Sequence, residues 1–362
     1  RLRSRGLGDV YKRQESFGWF DGEKLASQIS VYPMQVNLFG TMYNMGGVTG
    51  VATYPEYMGH GLMAHLMKKA LDNMRENHQC VSMLFPYLIP YYRKKGWEIV
   101  SDKMTYTIKD TQLPKHRKVG GMVERVDIDS EDVHRVHDAF SAMRHGALKR
   151  NELEWEEYWR WEADDVLVAV YYDANEKPTG YLVYYIANDV FRIKELVYVN
   201  QEARHGLWNY ISAHFSMIEK VVGNNYTNEP MAFLLEDSEI QEEIEPYIMA
   251  RIVDFEEFIR QYPFDIISIH DDLHFIIDDP IMECNCGDFS LRWDAAGNTI
   301  LERGGTRGET VRCDIQTLTA MFYGYKRPTY LKRVERLQAN DTAVRILEDI
   351  IPIEQPYFSD YF

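Results

Sequence analysis

The segment Val51-Ala52-Thr53-Tyr54-Pro55-Glu56-Tyr57-Met58-Gly59-His60-Gly61-Leu62-Met63 constrains the fold more than any other part of the chain. Before it the chain reads as extended. Leu25 to Tyr32, Val36 to Tyr43 and Gly46 to Tyr54 form an antiparallel meander after a turn at Phe20 to Glu23. After it, Leu62, Met63, Leu66, Met67, Ala70, Leu71 and Met74 recur at i, i+3, i+4, with charged and polar residues opposite, which predicts an amphipathic helix. A strand feeding a helix through two glycines lets backbone N–H groups converge at the helix N-terminus, an arrangement that holds a diphosphate. The same glycines also serve as a plain turn, and G-x-G alone does not separate the two. A dinucleotide fold places its glycine turn after the first strand of a βαβ unit and an acid about 20 residues on. Here three antiparallel strands come first.

At 362 residues the chain has room for two or three domains. The first, over 15–102, continues with a short strand from Val81 to Phe85 and a Tyr- and Pro-rich stretch ending Tyr92-Arg93-Lys94-Lys95-Gly96-Trp97. A second, over 103–263, has a strand at Met104 to Lys109 and a Trp-rich helix at Glu152 to Glu162. Strands at Val166 to Tyr172, Tyr181 to Ile186 and Arg192 to Val199 lead into a helix from about Ala203 to Glu219. That order repeats the first unit and reads as an internal duplication, although Asn200 to Gly206, in the place of the glycine loop, keeps one Gly. The third unit, 264–362, mixes short strands and helices and ends in an extended, aromatic tail after Pro352 and Pro356. Residues 1–14 are basic, lack an initiator Met and have no apolar period, and read as a non-native leader.

With 56 acidic and 40 basic residues the net charge is −16, which argues against nucleic acid and anionic membrane surfaces and for cationic small molecules or basic peptides. No apolar run approaches the roughly 18 residues of a membrane span. Four cysteines without a secretory signal point to the cytoplasm. Cys284 and Cys286, with Cys313 distant and no nearby His, lack zinc-ligand spacing, so they read as reduced structural thiols and no metal is expected. Phe17, Trp19 and Phe20 serve either as core or as an acceptor pocket. The carboxylates of Glu236, Asp237, Glu239, Glu242, Glu243 and Glu245 read as a solvated helix face.

Val51-Ala52-Thr53-Tyr54-Pro55 followed by Gly59-x-Gly61 resembles the acetyl-CoA signature of the GNAT acetyltransferase superfamily, with Met58 where that signature has Gln or Arg. Tyr92-Arg93-Lys94-Lys95-Gly96-Trp97 resembles its second landmark, Tyr-x-x-x-Gly-Phe/Trp. Over residues 15–362 the layout is similar to the enhanced intracellular survival (Eis) family. The implied fold is α+β (α/β mixed): tandem GNAT-like domains, the second without its CoA loop, then a sterol-carrier-like domain. The resemblance implies acetyl-CoA contacts at Val51, Thr53, Gly59, His60, Gly61 and Leu62, Tyr92 as general acid, and the α-carboxylate of Phe362 as general base. It also implies a homo-oligomer, hexamers included. His60 serves equally as a solvent-facing loop residue.

N-acetylation needs a neutral amine, an acceptor for its proton and an acid for the departing thiolate. A terminal carboxylate near pKa 3.5 becomes a better base when desolvated, which Tyr357, Phe358, Tyr361 and Phe362 would provide; read without the resemblance, the tail is an apolar plug. The function expected is acetyl-CoA-dependent N-acetylation of a cationic acceptor, aminoglycoside-like, polyamine or lysine, by direct transfer in a ternary complex. Among the four cysteines only Cys80 lies near these motifs as a covalent alternative. The rival reading is a non-catalytic acyl-CoA-responsive or hydrophobic-ligand-binding protein.

Overall fold

A computed structural model of the protein describes residues 2–5, 14–160, 166–227, 229–265 and 271–362. It divides into two compact units, one formed by Arg1–Val100, Tyr247–Pro356 and Phe362, the other by Ser101–Pro246 and Tyr357–Tyr361.

Strand β1 (Leu2–Arg5) pairs antiparallel with β2 (Glu15–Asp21). Within the expected leader, residues 2–5 therefore join the sheet, while residues 1 and 6–13 lie outside the described residues. β2 turns at Gly22 into β3 (Lys24–Leu38), which returns as β4 (Thr41–Thr53). The expected strands at 25–32 and 36–43 are thus corrected: one long strand ends at a two-residue hairpin of Phe39 and Gly40, with φ of 50° and 88°. Positive φ at both central residues is the hairpin turn that matches strand twist. Pro33 reads as a break in sequence, yet it sits inside β3 opposite Gly46. Helix α1 (Leu62–Glu76) follows, then β5 (Val81–Leu84), parallel to β4, and the short α2 (Ile89–Arg93). α1 buries Leu66, Met67, Ala70, Leu71 and Met74, the apolar face expected of it.

In the second unit the chain runs through β6 (Glu98–Lys109), β7 (Met122–Val126), α3 (Glu131–Met143), β8 (Leu148–Lys149), α4 (Glu152–Arg160), β9 (Leu167–Tyr172), β10 (Pro178–Ala187) and β11 (Val190–Tyr198). It closes with α5 (Gln201–Ser212) and β12 (Lys220–Asn225). Its strands lie in the order β6-β12-β11-β10-β9-β7, with β11 and β12 the parallel pair. Ala203, Leu207, Trp208 and Ile211 of α5 pack with Tyr106, Ile108, Tyr171 and Phe191. Val133 and Val136 of α3 pack with Trp155, Val168, Val170 and Tyr181 in a separate cluster. The helix expected to run to Glu219 stops at Ser212. Residues 161–162 of the expected Trp-rich helix lie outside the described residues.

Strand β13 (Gln241–Ile252) corrects the expected acidic helix. The carboxylate spacing mimics a helical period, but Asp237 folds back to accept the Glu239 N–H in a loop, and Glu242, Glu243 and Glu245 lie on a strand whose buried half begins at Tyr247. Met249 to Ile252 pair with β5, so the sheet of the first unit runs β1-β2-β3-β4-β5-β13. After α6 (Phe255–Gln261), strands β14 (Leu273–Asp278), β15 (Gly287–Trp293), β16 (Thr299–Arg303), β17 (Glu309–Asp314) and β18 (Gln338–Ala339) form a five-stranded sheet, ordered β16-β15-β14-β17-β18. Helices α7 (Ile315–Phe322), α8 (Pro328–Arg333) and α9 (Asp341–Ile350) complete it. Asp314 caps α7 by accepting the Thr317 N–H, as its position predicts.

Arg251 of β13 is fully buried and ion-paired with Asp279, also fully buried. It donates to the carbonyl of Lys95 and lies 5.2 Å from the centre of the Trp97 ring. Asp279 accepts from the Asn285 side chain at 2.8 Å and from the N–H groups of Ile281 and Met282 at 2.9 Å. Cys286 joins the same loop, its sulfur accepting from the Asp279 N–H at 3.3 Å. Gly96 has φ of 93°, and a Cβ there would stand 2.5 Å from Arg251 Nη1, so both backbone and space require glycine. Removing one partner of a buried ion pair strands the other charge, at about 3–5 kcal/mol. Asp279→Ala is therefore expected to lower the unfolding free energy by about that amount in denaturant titration; a loss near that of an ordinary surface substitution would show that Arg251 does not depend on the pair.

Candidate active site

β4 and β5 share a short ladder: Met45, Gly46 and Gly47 pair with Val81, Ser82 and Met83. β5 then ends at Leu84 while β4 runs on to Thr53, leaving the β5-side edge of β4 without a strand partner among the described residues. The other edge stays tied to β3. Gln28 pairs with Ala52, but Ser30 pairs with Thr49, so Gly50 and Val51 together oppose Ile29 in a β-bulge. Gly50 has φ of 59°, the left-handed conformation that a bulge of this kind takes up. Thr53 bonds Ser27 hydroxyl to hydroxyl at 2.7 Å, and Ser27 also donates to the carbonyl of Ala52. Val51 and Thr53 therefore lie on a strand with one satisfied edge and one open edge.

The chain then makes a single turn over Pro55–Tyr57, tethered to the β2–β3 hairpin. Lys24 bridges Glu56 at 2.6 Å, and Tyr57 donates to Asp21 at 3.0 Å. Gly59 and Gly61 have φ of 81° and 75°, and a Cβ at either would meet nothing within 4 Å. Gly61 is the N-cap of α1, and no side chain caps the helix. Among the described residues, the N–H groups from Gly59 through Met63, His60 and Leu62 included, donate to no protein group. Five successive unsatisfied donors at the positive end of a long helix form an anion cradle. His60 is exposed between the glycines. These groups fit the diphosphate of acetyl-CoA, with the open edge of β4 leading away from it.

Tyr92 projects from α2 into the core cluster that also holds Val48 and Leu84, the residues just past the last rung of the β4–β5 ladder, with Leu66 and Met67 of α1. It is 7% exposed, lies edge-on to Tyr91 and Trp97, and has no hydrogen bond to its hydroxyl among the described residues. Burial, and then the neighbouring Tyr91, push its pKa up, so its hydroxyl stays protonated throughout the neutral range. The Phe362 ring reaches the same ladder: a Cβ on Gly47 would stand 2.9 Å from one of its ring carbons. Gly46 faces Met74 of α1 instead. Successive strand residues face opposite sides, so Phe362 lies across the sheet from α1, where the strands part. Gly46, Gly47 and Gly50 shape this stretch of β4 by close packing and a bulge and were passed over in the sequence reading; the Gly-Gly pair inside an apolar strand was the available signal.

Phe17 is buried in the core and Trp19 packs against it, 5.9 Å from the His65 ring, while Phe20 covers Gly18. The tail differs from an apolar plug. Phe358 is buried, but Tyr361 is 51% exposed, and Asp360, which sequence reasoning missed, is 6% exposed. Asp360 accepts from Arg150 Nε at 2.6 Å, and the same guanidinium, itself fully buried, grips Glu195 of β11 at 2.7 Å between the rings of Trp155 and Tyr158.

The connection from β11 to α5 in the second unit forms no equivalent cradle. Only Val199 and Asn200 separate β11 from α5, and the Asn200 side chain accepts the Ala203 N–H at 2.8 Å, so the helix caps itself. Gly206, the one glycine kept, lies inside α5, where a Cβ would stand 2.2 Å from a Tyr171 ring carbon. Its smallness serves packing. Gly61→Ala places a Cβ in the cradle at a left-handed position costing about 1–2 kcal/mol, and is expected to weaken acetyl-CoA binding about tenfold by calorimetry while lowering the melting temperature by only a few degrees. Gly206→Ala is expected to do the reverse, and equal acetyl-CoA affinity in wild type and Gly61→Ala would contradict the assignment.

Comparison with known proteins places the domains. Residues 3–100 match a family model for an acetyltransferase (GNAT) domain, 146–252 match a second such model, and 255–359 match a sterol carrier protein domain. The fold is similar to a conserved protein of unknown function from Enterococcus faecalis, described as a probable N-acyltransferase, at 30% identity and TM-score 0.90 over 98% of this chain and 90% of that one. It is also similar to a GCN5-related N-acetyltransferase from Anabaena variabilis, at 24% identity and TM-score 0.86 over 99% and 91%. Eis1 from Mycobacterium abscessus has the same fold at 17% identity and TM-score 0.81 over 96% and 90%. A search of curated proteins finds no match. With two GNAT domains and a sterol carrier protein domain in the Eis-type order, the chain belongs to the GNAT family of N-acetyltransferases.

Proposed function

We propose that this protein transfers the acetyl group of acetyl-CoA directly to a primary amine of a cationic acceptor, an aminoglycoside-like molecule, a polyamine or a lysine side chain, in a ternary complex. The observation that carries this reading is the open edge of β4 ending in the unsatisfied N–H groups of Gly59 to Met63. Val51 and Thr53 would pair with the amides of the pantetheine arm, and Gly59, His60, Gly61 and Leu62 would hold the diphosphate. Acetyl-CoA supplies the activated thioester. The α-carboxylate of Phe362 accepts the proton released as the amine nitrogen bonds to the carbonyl carbon, and the Tyr92 hydroxyl protonates the sulfur as the C–S bond breaks. A covalent cysteine route has little support: burial pushes the Cys80 thiol well up, away from the reactive thiolate. The net charge of −16 favours a polycationic acceptor over nucleic acid or a membrane. Among the described residues no helix is long and apolar enough to cross a membrane. A cytoplasmic homo-oligomer, up to a hexamer, completes the reading.

Turnover of acetyl-CoA against a panel of aminoglycosides, polyamines and lysine peptides tests it. Tyr92→Phe is expected to lower kcat by about 100-fold with acetyl-CoA affinity unchanged. Because burial raises the pKa and keeps Tyr92 protonated, wild type is expected to show no loss of rate from this group through the neutral range; undiminished kcat in Tyr92→Phe would rule out the acid role. Adding one glycine after Phe362 displaces the α-carboxylate and is expected to cost at least about tenfold in kcat. Undiminished turnover in the extended chain would exclude it as the base, and a wild-type chain that consumes no acetyl-CoA with any amine would favour a ligand-binding protein.

A further inference from the structure

A cavity of about 480 Å³ in the second unit is separate from the glycine loop and the tail. It is walled by residues 111–117, by one face of α5 and by residues 231–237. In a chain of net charge −16 it gathers Lys115, Arg117 and Arg204 with His116 and His205. Lys115 is bridged to Glu236 at 2.6 Å. Asp237 is taken up by the Gln112 side chain and the Glu239 N–H, each at 3.0 Å. Among the described residues Arg117 and Arg204 have no ion pair, and Arg204 Nε is buried without a hydrogen-bond partner. Leaving such a donor unsatisfied costs about 1–3 kcal/mol, which an arriving acceptor would recover.

The site is also built. Arg204, His205, Trp208 and Asn209 stand at i, i+1, i+4 and i+5 and share one face of α5. The Asn209 carboxamide clamps the backbone of Arg117, accepting its N–H at 2.9 Å and donating to its carbonyl at 2.7 Å, and Ser212 donates to the carbonyl of Pro114 at 3.1 Å. The segment bearing Arg117 is thus held to the helix bearing Arg204. Burial, then the two guanidiniums, lower the pKa of His205, which places all three groups together and leaves the imidazole neutral at pH 7. Leu113, Trp208, Met231 and Leu235 supply apolar wall.

We propose that this cavity binds an amphiphilic anion, a carboxylate or phosphate monoester on an apolar body, with Arg204 and Arg117 gripping the head and Trp208 and Met231 packing the body. Guanidinium groups suit planar, bidentate capture of such heads, and the volume falls in the range of about 300–1,000 Å³ common to small-molecule sites. Titration calorimetry of the full chain with octanoate and octyl phosphate, against octylammonium and octyl glucoside as cationic and neutral controls, tests this. One or both anions are expected to bind, the tighter one identifying the head. Arg117→Gln is expected to weaken that binding at least about tenfold at unchanged melting temperature, because Arg117 is exposed, and Arg204→Gln to weaken it further. Should Arg204→Gln fail to fold, Arg117→Gln alone decides. The proposal is overturned if neither anion binds, if Arg117→Gln binds the anion as wild type does, or if either control binds as tightly as the anions.

Discussion

The buried pair of Arg251 and Asp279 is the interaction on which the arrangement of the first unit depends. A guanidinium with no exposed surface must find acceptors within the protein, and Arg251 finds them in Asp279 and in the carbonyls of Lys95 and Ile252. Lys95 lies in the turn that ends α2, so the charge that joins β13 to the Asp279 loop also fixes the helix carrying Tyr92. Gly96 is small and left-handed because that guanidinium occupies the space a side chain would need. The Tyr-x-x-x-Gly-Trp pattern is then the imprint of a buried cation supplied from more than 150 residues further along the chain.

The two GNAT-like sheets differ by small local changes at corresponding places. Each has a parallel pair in which one strand outruns its partner, β4 beyond β5 and β11 beyond β12. In the first unit the longer strand bulges at Gly50 and leads into a glycine loop whose N–H groups are left unsatisfied. In the second, the connection to the helix shrinks to Val199 and Asn200, the side chain of Asn200 takes a donor a ligand would need, and Glu195 past the last rung is held by Arg150. Tail residue Asp360 completes that buried cluster, an ionic arrangement in place of a ligand.

Much of this was readable from residue order because it rests on local periodicity and local backbone demands. The α1 face, the glycines of the cradle and the Asp314 cap follow from patterns within a few residues, and the order of domains from the whole-chain resemblance to the Eis family. What escaped depends on partners distant in sequence. The strand at Gln241–Ile252 hid behind helical-looking carboxylates, because nothing nearby reveals that β5 is waiting for it. Pro33 disguised the length of β3, since a proline's tolerance inside a strand is set by neighbouring strands. Gly46 and Gly47 gave no local sign that one would receive Met74 and the other Phe362. Asp360 looked like a polar interruption in an aromatic tail until Arg150 appeared opposite it.

On the proposed reading, acetyl-CoA occupies the open edge of β4 and the cradle at α1 and has no counterpart at β11 and α5. Amide hydrogen exchange of the whole chain with and without acetyl-CoA measures this directly. Protection is expected to be confined to amides from Val48 to Met63, strongest from Gly59 to Met63, with exchange from Val199 to Arg204 unchanged. Protection at Val199 to Arg204, or none at Gly59 to Met63 at saturating acetyl-CoA, would contradict it.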